Sequence, residues 1–170
     1  MWVFDATPLI HLASVERLDT IEHLDEHCVT PEPVYSEVVT TGIDRGHPDA
    51  RRVERCVENG VLEVVSTPET SLGSRLRDNP NLSDADAAVL SCAADRDGTA
   101  VVDEAYGRDV ATTEGVPTRG TAFLVLSVTK RGVLAPEEAR ATIDGMIEEG
   151  WYCAPDLYAK LLGKLDSIAD

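Results

Sequence analysis

The sequence predicts a three-layer α/β/α domain around a short, mainly parallel sheet. Short apolar runs alternate with longer segments that carry helix-capping residues, the pattern of strands joined by crossover helices. Acidic residues stand at the ends of several of these runs, where an open parallel sheet gathers its ligands. With 170 residues and 43% apolar content, the chain suits a single domain, 1–170, with a full core.

Each element has a local reason. Val3 and Phe4 form a strand, with Asp5 at its C-terminal end. Thr7 reads as the N-cap, and Pro8 as the first turn, of a helix through Leu9, Ile10, Leu12 and Ala13. Val15, Leu18, Ile21 and Leu24 repeat at helical spacing and predict a second helix. Val29 and Thr30 read as a strand end, and Pro31 opens a helix carrying Val34, Glu37, Val38 and Val39. The segment TTGIDRGHPDA is polar and turn-rich, hence a loop. Pro48–Glu58 reads as a helix ending at Asn59-Gly60, and 61–65 as a buried strand. A helix over 69–77 leads into the DNPN turn. Ser83 then caps a helix over Asp84–Asp95 with an Ala-rich apolar face. A strand over 99–102 leaves Asp103 at its end. Helix 104–113, strand 116–118 and helix 122–131 follow, the last entered through the Gly120-Thr121 turn. Pro136 and Pro155 open helices over 136–149 and 155–165.

Composition narrows the class. No stretch approaches the ~20 apolar residues of a membrane span. The N-terminus lacks a basic segment and its apolar start contains Asp5, so a cytoplasmic protein is expected. Cys28, Cys56, Cys92 and Cys153 form no CxxC pair, which argues against a zinc ribbon and for buried, reduced thiols. The histidines form no metal set either: His11 lies on a helix near Asp5, and His23, His27 and His47 lie in acidic or turn segments. The net charge of −16 is unusual for a protein that handles nucleic acid. Lysine occurs only as Lys130, Lys160 and Lys164, while Asp and Glu coat the predicted surfaces. Such surfaces resemble those of salt-accumulating microbes. In molar salt the Debye length is ~3 Å, so repulsion of a polyanion is largely screened.

Four acids carry the chemistry: Asp5, Glu37, Asp86 and Asp103. Each adjoins an apolar run, and four separate elements would bring them to one crevice. Clustered carboxylates repel and persist only when a cation or proton neutralises them. An all-oxygen set suits Mg²⁺ or Mn²⁺, whose chemistry is phosphodiester hydrolysis. Plainer readings exist for three of them. Asp84 and Asp86 also suit a helix N-terminus, worth a few tenths of a kcal/mol each. Glu37 also suits a solvated helix face, and Asp103 a strand-end turn. Asp5, between Trp2-Val3-Phe4 and Leu9-Ile10, has no such alternative. Arg45, Arg51, Arg52 and Arg55 form the densest basic cluster, the last three on nearly one helical face. They suit RNA phosphates or an acidic partner, or equally intrahelical pairs with Asp49, Glu54 and Glu58.

The motifs resemble those of the PIN domain, the nuclease fold shared by VapC toxins and several RNA-processing enzymes. FDATPLIHLA is similar to the family's opening D-x-S/T-x-L-I-x-L block, and PEPVYSEVV to its second, with Glu37 in the acid position. LSDADAAVLSCAA resembles the third, where Asp86 fits best and Asp84 is the extra acid. AVVDEAYGRDVATTEGVPTRGTAFLVL resembles the fourth, including the Gly-Thr turn. The D-E-x-x-G-R run, the later K-R-G and the E-E-G-W-Y segment look most like a VapC-related prokaryotic subfamily of salt-adapted archaeal type. LSxxDxxVL is also similar to archaeal enzymes that trim ribosomal RNA, but those carry a zinc ribbon that is missing here.

The resemblance implies a PIN-like fold and an endoribonuclease in which Asp5, Glu37, Asp86 and Asp103 hold Mg²⁺ or Mn²⁺, partly through water. Thr7 and Thr121 would support by hydroxyl contacts. Glu104 would serve a second metal or simply be a first-turn acid. The implied setting is a type II toxin–antitoxin pair with a small antitoxin partner. A homodimer is expected, through the apolar stretch of Met146, Ile147, Trp151, Tyr152, Leu157, Tyr158, Leu161 and Leu162 unless that stretch covers the sheet. A housekeeping nuclease for ribosomal or transfer RNA, and an inactive module binding RNA or protein, are the competing functions.

Overall fold

The chain is described over residues 1–170 in a computed structural model. Five strands, β1 (Trp2–Phe4), β2 (Cys28–Pro31), β3 (Glu63–Val65), β4 (Thr99–Val101) and β5 (Thr118–Arg119), pair in the order β3-β2-β1-β4-β5. All four pairings are parallel. The chain runs outward from β1 to β2 and β3, then returns to place β4 and β5 on the other side of β1. Strand order therefore reverses between β1 and β4, the position where an open α/β sheet forms its ligand crevice. Val3 lies opposite Ala100 and Phe4 opposite Val101, so the residues that follow both strands leave the sheet side by side.

Helix α1 (Ala6–Ser14) follows β1 directly, and α2 (Asp19–Glu22) precedes β2. A continuous helical segment follows β2: α3 (Glu32–Tyr35), a π turn (Ser36–Thr41) and α4 (Gly42–Asp44). Then come α5 (Pro48–Glu58), α6 (Ser71–Arg77) and α7 (Asp84–Asp95). Beyond β4 lie α8 (Ala105–Thr113), α9 (Thr121–Lys130), α10 (Pro136–Glu148) and α11 (Pro155–Ala169). Helix α1 packs on α5, and α7 packs on β1, β2 and β4; with right-handed crossovers, the rule for parallel strands, this strand order places α1 and α5 on the face opposite α7.

Covered on both faces, the central strands are apolar throughout rather than alternating: Val3, Phe4, Ala100 and Val101 are all fully buried. Helix α7 buries Ala85, Ala87, Ala88 and Ala93 along with Val89 and Leu90, and these small side chains let its backbone approach the sheet. Thr30 adds a polar tie inside the core, its hydroxyl donating to the Phe4 carbonyl at 3.0 Å.

Several local expectations need correction. Asp5, not Thr7, caps α1: its carboxylate accepts the Ala6 N–H at 2.8 Å. The helix expected through Val15, Leu18, Ile21 and Leu24 shrinks to the single turn of α2, because Glu16 adopts a φ of 57° and turns the chain away. The expected loop TTGIDRGHPDA is helical as far as Asp44. Gly42 makes this possible, since a Cβ there would sit 2.8 Å from Ala50 Cβ in α5. The strand expected over 61–65 is an edge strand confined to Glu63–Val65, with Glu63 exposed. Of the C-terminal apolar stretch, Met146, Trp151 and Leu161 are buried in the core, leaving Ile147, Tyr152 and Leu157 exposed.

Candidate active site

Carboxylates from four elements lie toward the β1/β4 reversal, three of them near enough for their charges to act on the fourth, Asp5. Asp5 ends β1 and caps α1, and it is only 6% exposed. Burial pushes its carboxyl up to about 7; the Ala6 hydrogen bond opposes this, while the negative fields of Asp86, Glu37 and Asp103 add to it. All three of those acids thus lie within electrostatic reach of Asp5. A buried acid so perturbed in a crevice is a marker of a functional site.

The other three are held in different ways. Asp86 is the third residue of α7 and completes a capping box with Ser83. The Ser83 N–H donates to its Oδ2, and its own N–H donates to the Ser83 hydroxyl, both at 3.0 Å. Its Oδ1 is left for another partner. Asp103 lies two residues beyond β4 and accepts from Thr121 twice, from the backbone N–H and from the hydroxyl, each at 2.7 Å. Glu37 projects from the π turn and is exposed. Such turns insert one residue into a helix and often occur at functional sites. None of the four is ion-paired with Lys or Arg.

Four acids without a basic partner, contributing oxygen ligands only, fit a hard divalent cation. No three Asp, Glu, His or Cys side chains are drawn together closely enough to ligate one ion among them.

The remaining sequence candidates fall at different places. Thr121 is fully buried against Asp103; Thr7 is half-buried within α1. Asp84 is exposed at the start of α7, beside Thr67, Arg77 and Ser91, and is not among the charges acting on Asp5. Glu104 is the N-cap residue of α8, one position before its first turn, and makes no side-chain cap bond. Arg51 pairs with Glu54, and Arg52 is committed to Asp49, Glu16 and the Ala13 carbonyl. Arg45 lines a cavity of about 280 Å³ together with Glu37, Thr41 and His47, while Arg55 lies farther off beside Glu16 and Leu18.

One feature was noted in the sequence without a role, and a second escaped it. His11, on α1, is close enough for the Asp103 charge to act on it, although burial is the larger influence and lowers its pKa. Its Nδ1 is buried without a hydrogen-bond partner. Proximity to Asp5 in sequence was the available signal. The second is a groove leading away from Asp103, lined by Arg108 and Arg119. By contrast, burial raises the Cys28 thiol to about 12 and those of Cys56 and Cys92 to about 11, which keeps them protonated and unreactive.

The fold is an α/β domain, with the buried Asp5 at its topological switch point and three further acids in electrostatic reach. The family model described as DUF3368, a PIN domain, matches residues 1–167, and the chain belongs to that family. PIN domains are generally nucleases and generally use divalent metals. No curated protein matches the chain.

Proposed function

We propose that the chain is a Mg²⁺- or Mn²⁺-dependent endoribonuclease acting as the toxin of a type II toxin–antitoxin pair. Asp5 carries the reading: a buried carboxyl, raised to about 7, faces three more acids and no basic side chain. Such a group is tolerated as the neutral acid or as the ligand of a cation. When bound, a divalent cation activates a water for in-line attack and offsets charge developing on the phosphate and departing oxygen.

The chain's own groups divide the remaining work. Asp5 supplies the innermost carboxylate, fixed by the Ala6 N–H. Thr121 holds both oxygens of Asp103 in one orientation, so no reorganisation is needed when a ligand arrives. Asp86 turns one oxygen to its capping box and offers the other. Glu37 stands at the exposed rim, with Arg45 beside the same cavity to meet a substrate phosphate.

The finer parts of this reading are the toxin role, an antitoxin that covers the crevice, a homodimer and a salt-adapted host. The acidic surface supports the host, the resemblance of the acid blocks the toxin role with its antitoxin, and the exposed Ile147, Tyr152 and Leu157 the homodimer. The deciding assay incubates structured and single-stranded RNA with the protein and Mn²⁺ in high salt. Internal cuts by the wild type, absent with EDTA and with Asp5→Asn, are expected. Equal cutting by both proteins would remove Asp5 from the mechanism.

A further inference from the structure

We propose that a groove running from Asp103 along α9 to the start of α11 is the track of a single-stranded RNA arm. Its bases stack on Tyr152 and Phe123, and its phosphates meet Arg108, Arg119 and Lys164. The inference deepens the nuclease reading and rests on it for the identity of the strand. The groove encloses about 250 Å³, with Asp103 at its head. It therefore opens from the acid cluster itself.

Three observations select a nucleic-acid strand. First, Tyr152 is 83% exposed and Phe123 41% exposed. Single-strand sites use exposed rings of this kind as stacking platforms, because every base has a π face. Second, a cation and a ring meet in the groove: the Arg119 guanidinium lies 5.0 Å over the Phe123 ring centroid, and Trp2 braces that ring from 6.2 Å. Third, the local charge reverses that of the molecule. The chain has 31 acids to 15 Lys and Arg, and Arg17, Arg51, Arg52, Arg75, Arg77 and Arg131 are all ion-paired. Arg108, Arg119 and Lys164 have no acidic partner and line this one groove.

Gly120 lets the groove reach the acids. A Cβ there would lie 3.0 Å from Asp103 Oδ1 and 3.5 Å from Arg108 Nη1, so the bare backbone leaves carboxylate and guanidinium on either side of one gap. A phosphate beside the acid cluster would meet Arg108 first, and the next nucleotides would pass over Phe123 and Tyr152. A second copy, with net charge −16, would also suit these cations, so it is the exposed stacking rings that select a nucleic-acid strand.

The test is binding of a short fluorescein-labelled oligouridylate to the metal-free full chain in EDTA, read by anisotropy. Tyr152→Ala should weaken binding roughly tenfold, within the range for loss of one stacked base, and Tyr152→Phe should restore it. Arg119→Gln should weaken binding and lower the salt slope by about 0.7, the share of one phosphate contact on a single strand. Arg140→Gln, on α10 away from the groove, should bind as the wild type does. Wild-type affinity and slope in both Tyr152→Ala and Arg119→Gln would overturn the proposal. So would a Tyr152→Ala protein that loses dimers in light scattering yet binds RNA unchanged, since the groove would then join copies of the chain. Lost affinity in these variants without any cleavage by the wild type would sink the nuclease reading and leave the groove standing. Cleavage that depends on Asp5 with affinity unchanged would sink the groove alone.

Discussion

Thr121 grips Asp103 from two sides, its backbone N–H and its hydroxyl each donating at 2.7 Å to a different carboxylate oxygen. Because Thr121 is fully buried and opens α9, this pair ties the end of β4 to the following helix. Thr121→Val keeps the shape and removes one donor from an ionised acceptor. It should cost roughly 1–3 kcal/mol of stability and weaken Mn²⁺ binding, while Thr121→Ser should restore both. Thermal melts with and without Mn²⁺ check this, and unchanged melting in Thr121→Val would contradict it.

Asp5 makes stability depend on pH with a definite sign. Its folded value, raised from 3.8 to about 7, means that between those pH values the folded chain holds a proton the unfolded chain has lost. Stability of the metal-free protein should therefore fall as pH rises from about 4 to about 7, by an amount on the order of 4 kcal/mol from this group. Asp5→Asn should remove that part of the slope and be the more stable protein at pH 8. Urea unfolding of both proteins at several pH values tests it; parallel curves would count against the buried acid.

Asp84 and Asp86 should separate cleanly. Asp86 acts on Asp5 and Asp84 does not, so Asp86→Asn should lose Mn²⁺-dependent cleavage while Asp84→Asn keeps it. The reverse result would move the third acid block by two residues.

Gly42→Ala should perturb the site from a distance. The new methyl would press on Ala50 at 2.8 Å, and overpacking of this kind costs about 1–3 kcal/mol. The strain falls on the π turn that carries Glu37, so cleavage should drop together with the melting temperature. A fully active, equally stable Gly42→Ala would show that the turn is not held by this contact.

What the sequence made legible follows from how local each signal is. The bounds of α7 follow from Ser83 and its partner Asp86, and those of α5 from Pro48 at its start and Asn59-Gly60 at its end. The parallel sheet follows from apolar strands separated by capped helices. The π turn left no local signal: it runs into α4, whose close approach to α5 at Gly42 and Ala50 joins residues of different elements. The second helix misled because its apolar spacing persists past Glu16, where the backbone turns. The four candidate acids stood out in the sequence because each adjoins an apolar run. The basic cluster was legible only as two alternatives, and Arg51 and Arg52 take the intrahelical one, pairing with Glu54 and Asp49, with Glu16 added from α1's end. Arg108, Arg119 and Lys164 are far apart in sequence and meet only through α9 and α11.

The proposed nuclease activity requires a cation site formed by Asp5 and the acids around it. Calorimetric titration of Mn²⁺ into the wild type, Asp5→Asn and Asp103→Asn at pH 8 tests this most directly. Saturable heat in the wild type, lost in both variants while their circular dichroism stays native, is the predicted result. The same binding heat in all three proteins would contradict it.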